Sequence, residues 1–270
     1  MATSAPLPTG PRRHRAAWQL VAKVLPPVVL LALLALGWQL VALKNKFLLP
    51  HLGAIWSQLA EHPREFLDAA TATLQETGVG LGASLVVAFC MAAAMSHFRV
   101  VERAVMPLAV VINVTPVVAL APGLATALGF GLAPRYVVTG IIVFFPLLVN
   151  SLAGLRSVDP EALRYFTTLA ASRTETLLRL RIPSSLPFLF AAARICFPLS
   201  LIGAVVAEFS TAGSNNGLGS LIYLADQQVD LAQVYAGILC LSALGLLFTL
   251  VVVLAERRVL FWHPSGFARP

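Results

Sequence analysis

Two ionisable side chains, Arg194 and Glu208, interrupt an otherwise apolar stretch over residues 188–212. A carboxylate at lipid depth is costly, and by default it faces the protein interior or a water-filled path. Glu208 is therefore either a pathway or gating residue, or a fixed acceptor for a backbone amide or hydroxyl near one end of its helix. Arg194 has a stem long enough to snorkel to the membrane surface. Acid–base or metal chemistry would need further convergent groups at the same depth. No His or Asp accompanies Glu208 in the apolar runs, and His14, His51, His62, His97 and His263 are scattered over tails and connections. Cys90, Cys196 and Cys240 lie inside apolar runs, at spacings that suit neither zinc nor a disulfide framework. The sequence thus predicts no catalytic residue and no metal site. A P-loop needs Gly-Lys-Ser/Thr, whereas Lys23, Lys44 and Lys46, the only lysines, follow Ala, Leu and Asn. GVGLGA at residues 78–83 opens an apolar run rather than a strand–turn–helix unit, so it reads as small residues for close helix packing.

Three uncharged polar side chains remain. In NVTPVVALAP, Pro116 and Pro122 remove backbone donors and should bend the helix. Asn113 and Thr115 there, and Asn150 further on, either face a cavity or hydrogen-bond neighbouring helices.

Hydropathy sets the elements that position these groups. The chain is 58% hydrophobic and 11% charged, with a mean hydropathy of +0.83. A soluble domain is about one quarter charged, so the bilayer is the expected solvent. Residues 24–43, 77–96, 104–134, 136–155 and 231–255 carry no formal charge, and about 20 apolar residues cross a hydrocarbon core. With residues 188–212 they make six expected spans. Helices are required because they satisfy their own backbone in lipid; the period-2 alternation of an outer-membrane barrel is missing. The first run is too long for a signal-peptide core, and VALKNKF offers no small-residue cleavage site, so it should be retained. With PRRHR in the cytoplasm, all of the 19 Lys and Arg except Lys44, Lys46, Arg64 and Arg135 fall on or near that side. This is the positive-inside pattern, with both termini cytoplasmic. The net charge of +7 then reports topology and not nucleic-acid binding. The expected organisation is a basic cytoplasmic tail (1–23), a six-helix membrane domain (24–255) and a cytoplasmic C-terminal tail (256–270). Outer connections at 45–73 and 209–230 should hold an amphipathic helix and a short re-entrant helix near 218–225.

Between the fourth and fifth spans lies a polar strip, DPEALRYFTTLAASRTETLLRLRIPSSLP. Asp159 can cap a helix whose first turn holds Pro160, running from Glu161 to about Ala170. Ser172 and Glu175 fit a capping box, opening a second short helix that Pro183 should stop after about Arg181. The expected fold class is an all-α integral membrane protein: six transmembrane helices with a cytoplasmic helix–turn–helix loop between helices 4 and 5. On physical grounds alone, the loop either rests on lipid headgroups or docks a soluble partner.

The strip resembles the coupling loop of permease subunits of bacterial ABC importers, in which Glu-Ala-Ala, a spacer, Gly, a longer spacer and Ile-x-Leu-Pro follow one another. Here SVDP leads in, LAASR holds the Gly position and LRIPSSLP closes the loop. The likeness is closest to the nitrate, sulfonate and taurine branch. It extends over about residues 75–255 through INVTPVVALAPGLATALGFG, FFPLLVNSLAGLRSVDP and GAVVAEFSTAGSNNGLGSLI. Two departures stand out. Glu-Ala-Ala falls on Arg164, Tyr165 and Phe166, reversing the charge at Arg164, and the signature Gly falls on Ala170.

The resemblance implies a multi-pass subunit of the bacterial cytoplasmic (inner) membrane that moves a small solute by alternating access and is not itself an enzyme. It implies two ATP-binding subunits that carry the ATP and magnesium, with no cofactor bound by this chain. It also implies a second permease copy or a paralogous permease, an extracytoplasmic solute-binding protein and surrounding lipid. Pro160, Glu161, Arg164, Tyr165, Phe166, Leu169, Ala170, Ser172, Arg173 and Arg179 become the candidate ATPase-coupling residues of a loop at about 159–183. Tyr165, Phe166 and Leu169 would be the apolar anchors, while Arg164, Arg173 and Arg179 would set register and on-rate. Glu208, Asn113, Thr115 and Asn150 become candidates for the translocation path or gate. Two other classes remain: an intramembrane enzyme or maturation factor, and a channel that conducts without ATP.

Overall fold

The computed structural model describes residues 12–44, 49–211 and 217–260, and nearly all of them are helical. Parts of the expected tails (1–11 and 261–270) and of the last connection (212–216) lie outside the described residues. The chain forms two units, residues 1–57 and 58–270.

In the first unit, α1 (Arg12–Lys44) takes in much of the segment expected as a tail. No Gly, Pro or β-turn residue interrupts residues 12–25, which are rich in strong helix formers. Leu30, Leu31, Leu33 and Leu34 point outward, Leu31 being 65% exposed, as a lipid-facing surface requires. Pro50 and Leu52 are tied back to α1. Trp38 Nε1–H donates to the Pro50 carbonyl (3.0 Å), and the Leu52 N–H donates to Gln39 Oε1 (3.3 Å). From here α2 (Leu52–Glu61) leads into the second unit.

The second unit holds α3 (Pro63–His97), α4 (Arg99–Val114), α5 (Val117–Leu128), α6 (Leu132–Arg156), α7 (Pro160–Thr168), α8 (Arg173–Thr176), a π-helical turn (Leu177–Arg181), α9 (Ile182–Ser210), α10 (Leu218–Gln227) and α11 (Leu231–Val259). Its centre is the trio α3, α6 and α9. Lipid gives apolar helices no hydrophobic reason to associate, so van der Waals contact over small residues must do it. Gly80 lies so close to α6 that a Cβ there would meet the Thr139 side chain at 2.7 Å. Gly154 is as tight against α9, where a Cβ would come within 2.9 Å of Ser185 and Phe188. Ser84 Oγ–H donates across the α3–α6 contact to the Gly140 carbonyl at 2.9 Å. Of the GVGLGA glycines, Gly80 alone makes the close approach; Gly78 and Gly82 face open space. Ala88, Ala92, Met95, Val143, Leu148 and Ala192 continue this core along the helices.

Among the described residues five helices are long and apolar enough to cross a membrane, and α4 with α5 makes a sixth candidate only as a broken pair bent by 99°. The break falls at Thr115–Pro116, because Pro116 has no N–H to continue the α4 ladder. Pro183, in contrast, does not stop the second loop helix. Residues Arg173–Ser210 form one continuous 38-residue helix. The π-helical turn is the physical reason: the Ile182 N–H reaches back five residues to the Leu177 carbonyl. That wider turn gives the proline ring room it lacks in an α-helix.

Candidate coupling loop and buried ionic cluster

The loop between α6 and α9 is built by local hydrogen bonds. Asp159 Oδ1 accepts the Glu161 N–H (2.9 Å) with Pro160 in the first turn of α7. The far end of α7 closes differently from the expected continuous helix to Ala170. The helix stops at Thr168, and Ala170 stands outside it at φ +51°. The Ala170 N–H donates to the Thr167 carbonyl (3.0 Å) and the Ala171 N–H to the Phe166 carbonyl (3.1 Å). This pairing is a Schellman closure, which favours glycine at the left-handed position. The turn therefore keeps its shape with a side chain present, and the residue there is strained. Ser172 and Glu175 then form the expected reciprocal box: the Glu175 N–H donates to Ser172 Oγ (3.2 Å) and the Ser172 N–H to Glu175 Oε2 (2.9 Å).

Ala170→Gly should relieve about 1 kcal/mol of left-handed strain. Amide hydrogen exchange over 160–172 should slow by about fivefold, and unchanged or faster exchange would contradict the closure.

α7 and α8 bury no residue at all. Tyr165 and Leu169 project outward at 63% and 60% exposure, with Phe166 half-buried beside them. Glu161 and Arg164 of α7, Arg173 of α8 and Arg179 of the π-helical turn are exposed.

At the opposite membrane end, Glu208 is not alone. Thr73 Oγ1–H donates to its Oε1 at 2.7 Å, and the Ser220 N–H donates to its Oε2 at 3.0 Å. Thr73 Oγ1 in turn accepts the Leu218 N–H (2.8 Å). The carboxylate thus receives the first turn of α10, where a negative charge is favoured by the helix dipole. Gly217 and Gly219 leave the room for it: a Cβ at either would collide with the Glu208 carboxylate, and Gly217 sits at φ +125°. Beside this lies a second buried pair. Arg135 Nη1–H donates to Glu76 Oε1 at 2.6 Å, and Arg135 Nε–H donates to Thr211 Oγ1 at 2.8 Å. Arg135, Glu76 and Glu208 are each 1% exposed or less. The cluster ties α3, α6, α9 and α10 together at one level. The sequence places Arg135 between two expected spans, whereas in the structure it lies inside α6.

The other candidates stay apart from this cluster. Asn113 is exposed near the end of α4. Thr115 Oγ1–H donates to the Val111 carbonyl (2.7 Å), and Asn150 Nδ2–H to the Pro146 carbonyl (2.8 Å), both within their own helices. Arg194 pairs with Glu256, joining α9 to α11.

The family described as "Binding-protein-dependent transport system inner membrane component" matches residues 82–261. The chain is 32% identical over 244 residues to the formylaminopyrimidine transport permease protein ThiX of Halalkalibacterium halodurans, covering 89% of this chain and 97% of that protein. It is 31% identical over 170 residues to the riboflavin transport system permease protein RibX of Chloroflexus aurantiacus, 63% of each chain. The taurine transport system permease protein TauC of Escherichia coli is 26% identical over 262 residues, 93% of this chain and 94% of its own length.

Proposed function

The chain belongs to the binding-protein-dependent transport system inner membrane components, and on that premise we propose that its α7–α8 loop is the seat through which a separate ATPase drives import. It is a permease subunit of an ABC importer for a small solute, an inner-membrane protein and not itself an enzyme. In this reading two ATP-binding subunits, carrying the ATP and magnesium, grip the helix–turn–helix loops of two permeases from the cytoplasm, where both termini also lie. An extracytoplasmic binding protein delivers the solute at the α10 end.

The observation that carries the reading is α7 itself: a helix capped at both ends that buries nothing of its own while presenting Tyr165 and Leu169 to solvent. An element resting on lipid headgroups would not need such rigid punctuation, whereas one that transmits force does. Closure of the ATPases moves the seated loops, and the spans rock as packed units between two access states.

The broken pair α4–α5 supports a second permease copy. Irregular backbone at membrane depth is tolerated only where protein covers it or water reaches it. Around the break, Val114 is 73% exposed and Pro116 is uncovered. A partner subunit therefore meets this face, and Asn113 and Thr115 line the path between the two, with Asn150 further along it. Glu208 acts as a gate residue by holding α10 across the outer end.

The test is purification with co-purifying subunits, followed by reconstitution into vesicles. ATP should drive uptake and a non-hydrolysable analogue should not. Flux without nucleotide would support a channel and overturn the reading.

A further inference from the structure

We propose that the α7 end of the membrane domain holds an anionic phospholipid, its phosphodiester seated among Arg99, Arg103 and Arg181 and its acyl chains laid along α4.

A cavity of about 420 Å³ opens where the ends of α3, α4 and α6 meet α7 and the π-helical turn. Arg99, Arg156, Arg181 and His97 line it against one carboxylate, Glu102. Glu102 is fully engaged by Arg156, which donates to its two oxygens at 2.8 and 2.6 Å and to the Met95 carbonyl at 3.2 Å. The two remaining guanidiniums are poorly served. Arg181 makes a single long bond to the Ser96 carbonyl at 3.4 Å. Arg99 has no hydrogen-bond partner among the described residues, nor does Arg103 one turn further along α4. Two parallel N–H donors on each guanidinium match phosphate oxygens geometrically.

What lies next to this cavity decides between a lipid and a soluble anion. A second cleft of about 720 Å³ continues from Arg99, Arg103 and the Arg156-paired Glu102 over Met106, Pro107 and Val110. Cations stand at one end, at the membrane surface, and apolar side chains continue toward the bilayer interior. Val100 is 78% exposed and Leu108 64% exposed on the same helix. A free phosphate would use only the first half of this surface, whereas a phospholipid uses both. Anionic headgroups are attracted to such basic sites between helix ends. Because Leu163 of α7 forms part of the cavity wall, a seated headgroup would also brace the coupling loop against the spans. That consequence rests on the reading of α7 given above; binding itself does not.

The experiment counts lipid and needs no transport, so its failure would leave the importer reading standing. The complex is purified with its subunits and placed in phosphatidylcholine nanodiscs with phosphatidylglycerol titrated in. Bound lipid is then counted by native mass spectrometry after extraction. Wild type should retain phosphatidylglycerol in preference to phosphatidylcholine. Arg99→Gln with Arg103→Gln should weaken that retention by about fivefold per cation removed. Arg257→Gln with Arg258→Gln, which removes the same charge from the end of α11, should leave it intact. If the first double variant does not fold, Arg181→Gln tests the opposite wall. Equal retention in the Arg99 and Arg181 variants and wild type would overturn the proposal. So would equal loss in the α11 control, which would mean diffuse surface charge, or displacement by millimolar inorganic phosphate, which would mean a soluble-anion site.

Discussion

Replacing Arg135 with alanine should destabilise the membrane domain by about 3–5 kcal/mol, the cost of leaving one partner of a buried ion pair alone. Arg135 and Glu76 are each 1% exposed and 2.6 Å apart. The other Glu76 oxygen is buried with no hydrogen-bond partner among the described residues, so the guanidinium carries its compensation. Thr211 would lose a donor in the same step. The pair Arg156–Glu102 provides the contrast. It has the same 2.6 Å contact, but its side chains are 41% and 28% exposed. Water screens such pairs, so Arg156→Ala should cost at most about 1 kcal/mol. Thermal unfolding in detergent separates the two: Arg135→Ala should lower the midpoint by roughly 6–20 °C. Replacing Glu76 and Arg135 together with leucine should recover much of the loss, because neither member of the pair is then buried without its partner, while Glu208 keeps its bonds from Thr73 Oγ1–H and the Ser220 N–H. An Arg135→Ala protein as stable as Arg156→Ala would contradict the cluster's role as a fixed joint between four helices.

The second large effect is on assembly. Tyr165→Ala and Leu169→Ala should each cost about 2 kcal/mol or more of ATPase affinity, roughly 30-fold, if the two side chains are central anchors of a docked loop. Neither change should unfold α7, because both side chains already stand in solvent and the caps at Asp159 and Ser172 are untouched. Co-purified ATPase and ATP-driven uptake should fall together while the midpoint of unfolding stays within a few degrees. Arg164→Glu, which restores the charge sign usual in this family, should change the salt dependence of assembly more than its affinity. Loss of stability with retained ATPase would mean that the anchors serve the loop and not a partner.

What the sequence reveals of this loop follows from the range of the interactions. Both caps are set by residues within three positions of each other, so Asp159–Glu161 and Ser172–Glu175 are legible by eye. The left-handed turn at Ala170 is not, since alanine is the strongest helix former and only the family's glycine at that position hints at it. Pro183 misleads for a related reason: a proline is read as a stop unless a wide turn precedes it, and no side chain announces a π-helical turn. The ionic cluster escapes for the opposite cause. Glu208 is visible as a carboxylate inside an apolar stretch. Its partner Thr73 is 135 residues away, and Glu76 and Arg135 border uncharged runs, where a charge reads as the end of a span. The helices overrun those borders, starting at Pro63 and Leu132. Span ends drawn at charges therefore put both residues outside the spans.

If the α7–α8 loop is the seat, a nucleotide-hydrolysing neighbour grips α7 while the importer works. A complex carrying Thr168→Cys, an exposed position beside the anchors that is not itself one of them, with Cys90, Cys196 and Cys240 replaced by alanine, allows that contact to be trapped with a short bifunctional thiol reagent during ATP-driven uptake. A gripped loop gives a cross-link from position 168 to the ATPase and arrest of uptake on linking. Continued uptake by complexes whose position 168 stays unlinked and open to a water-soluble maleimide would contradict that grip.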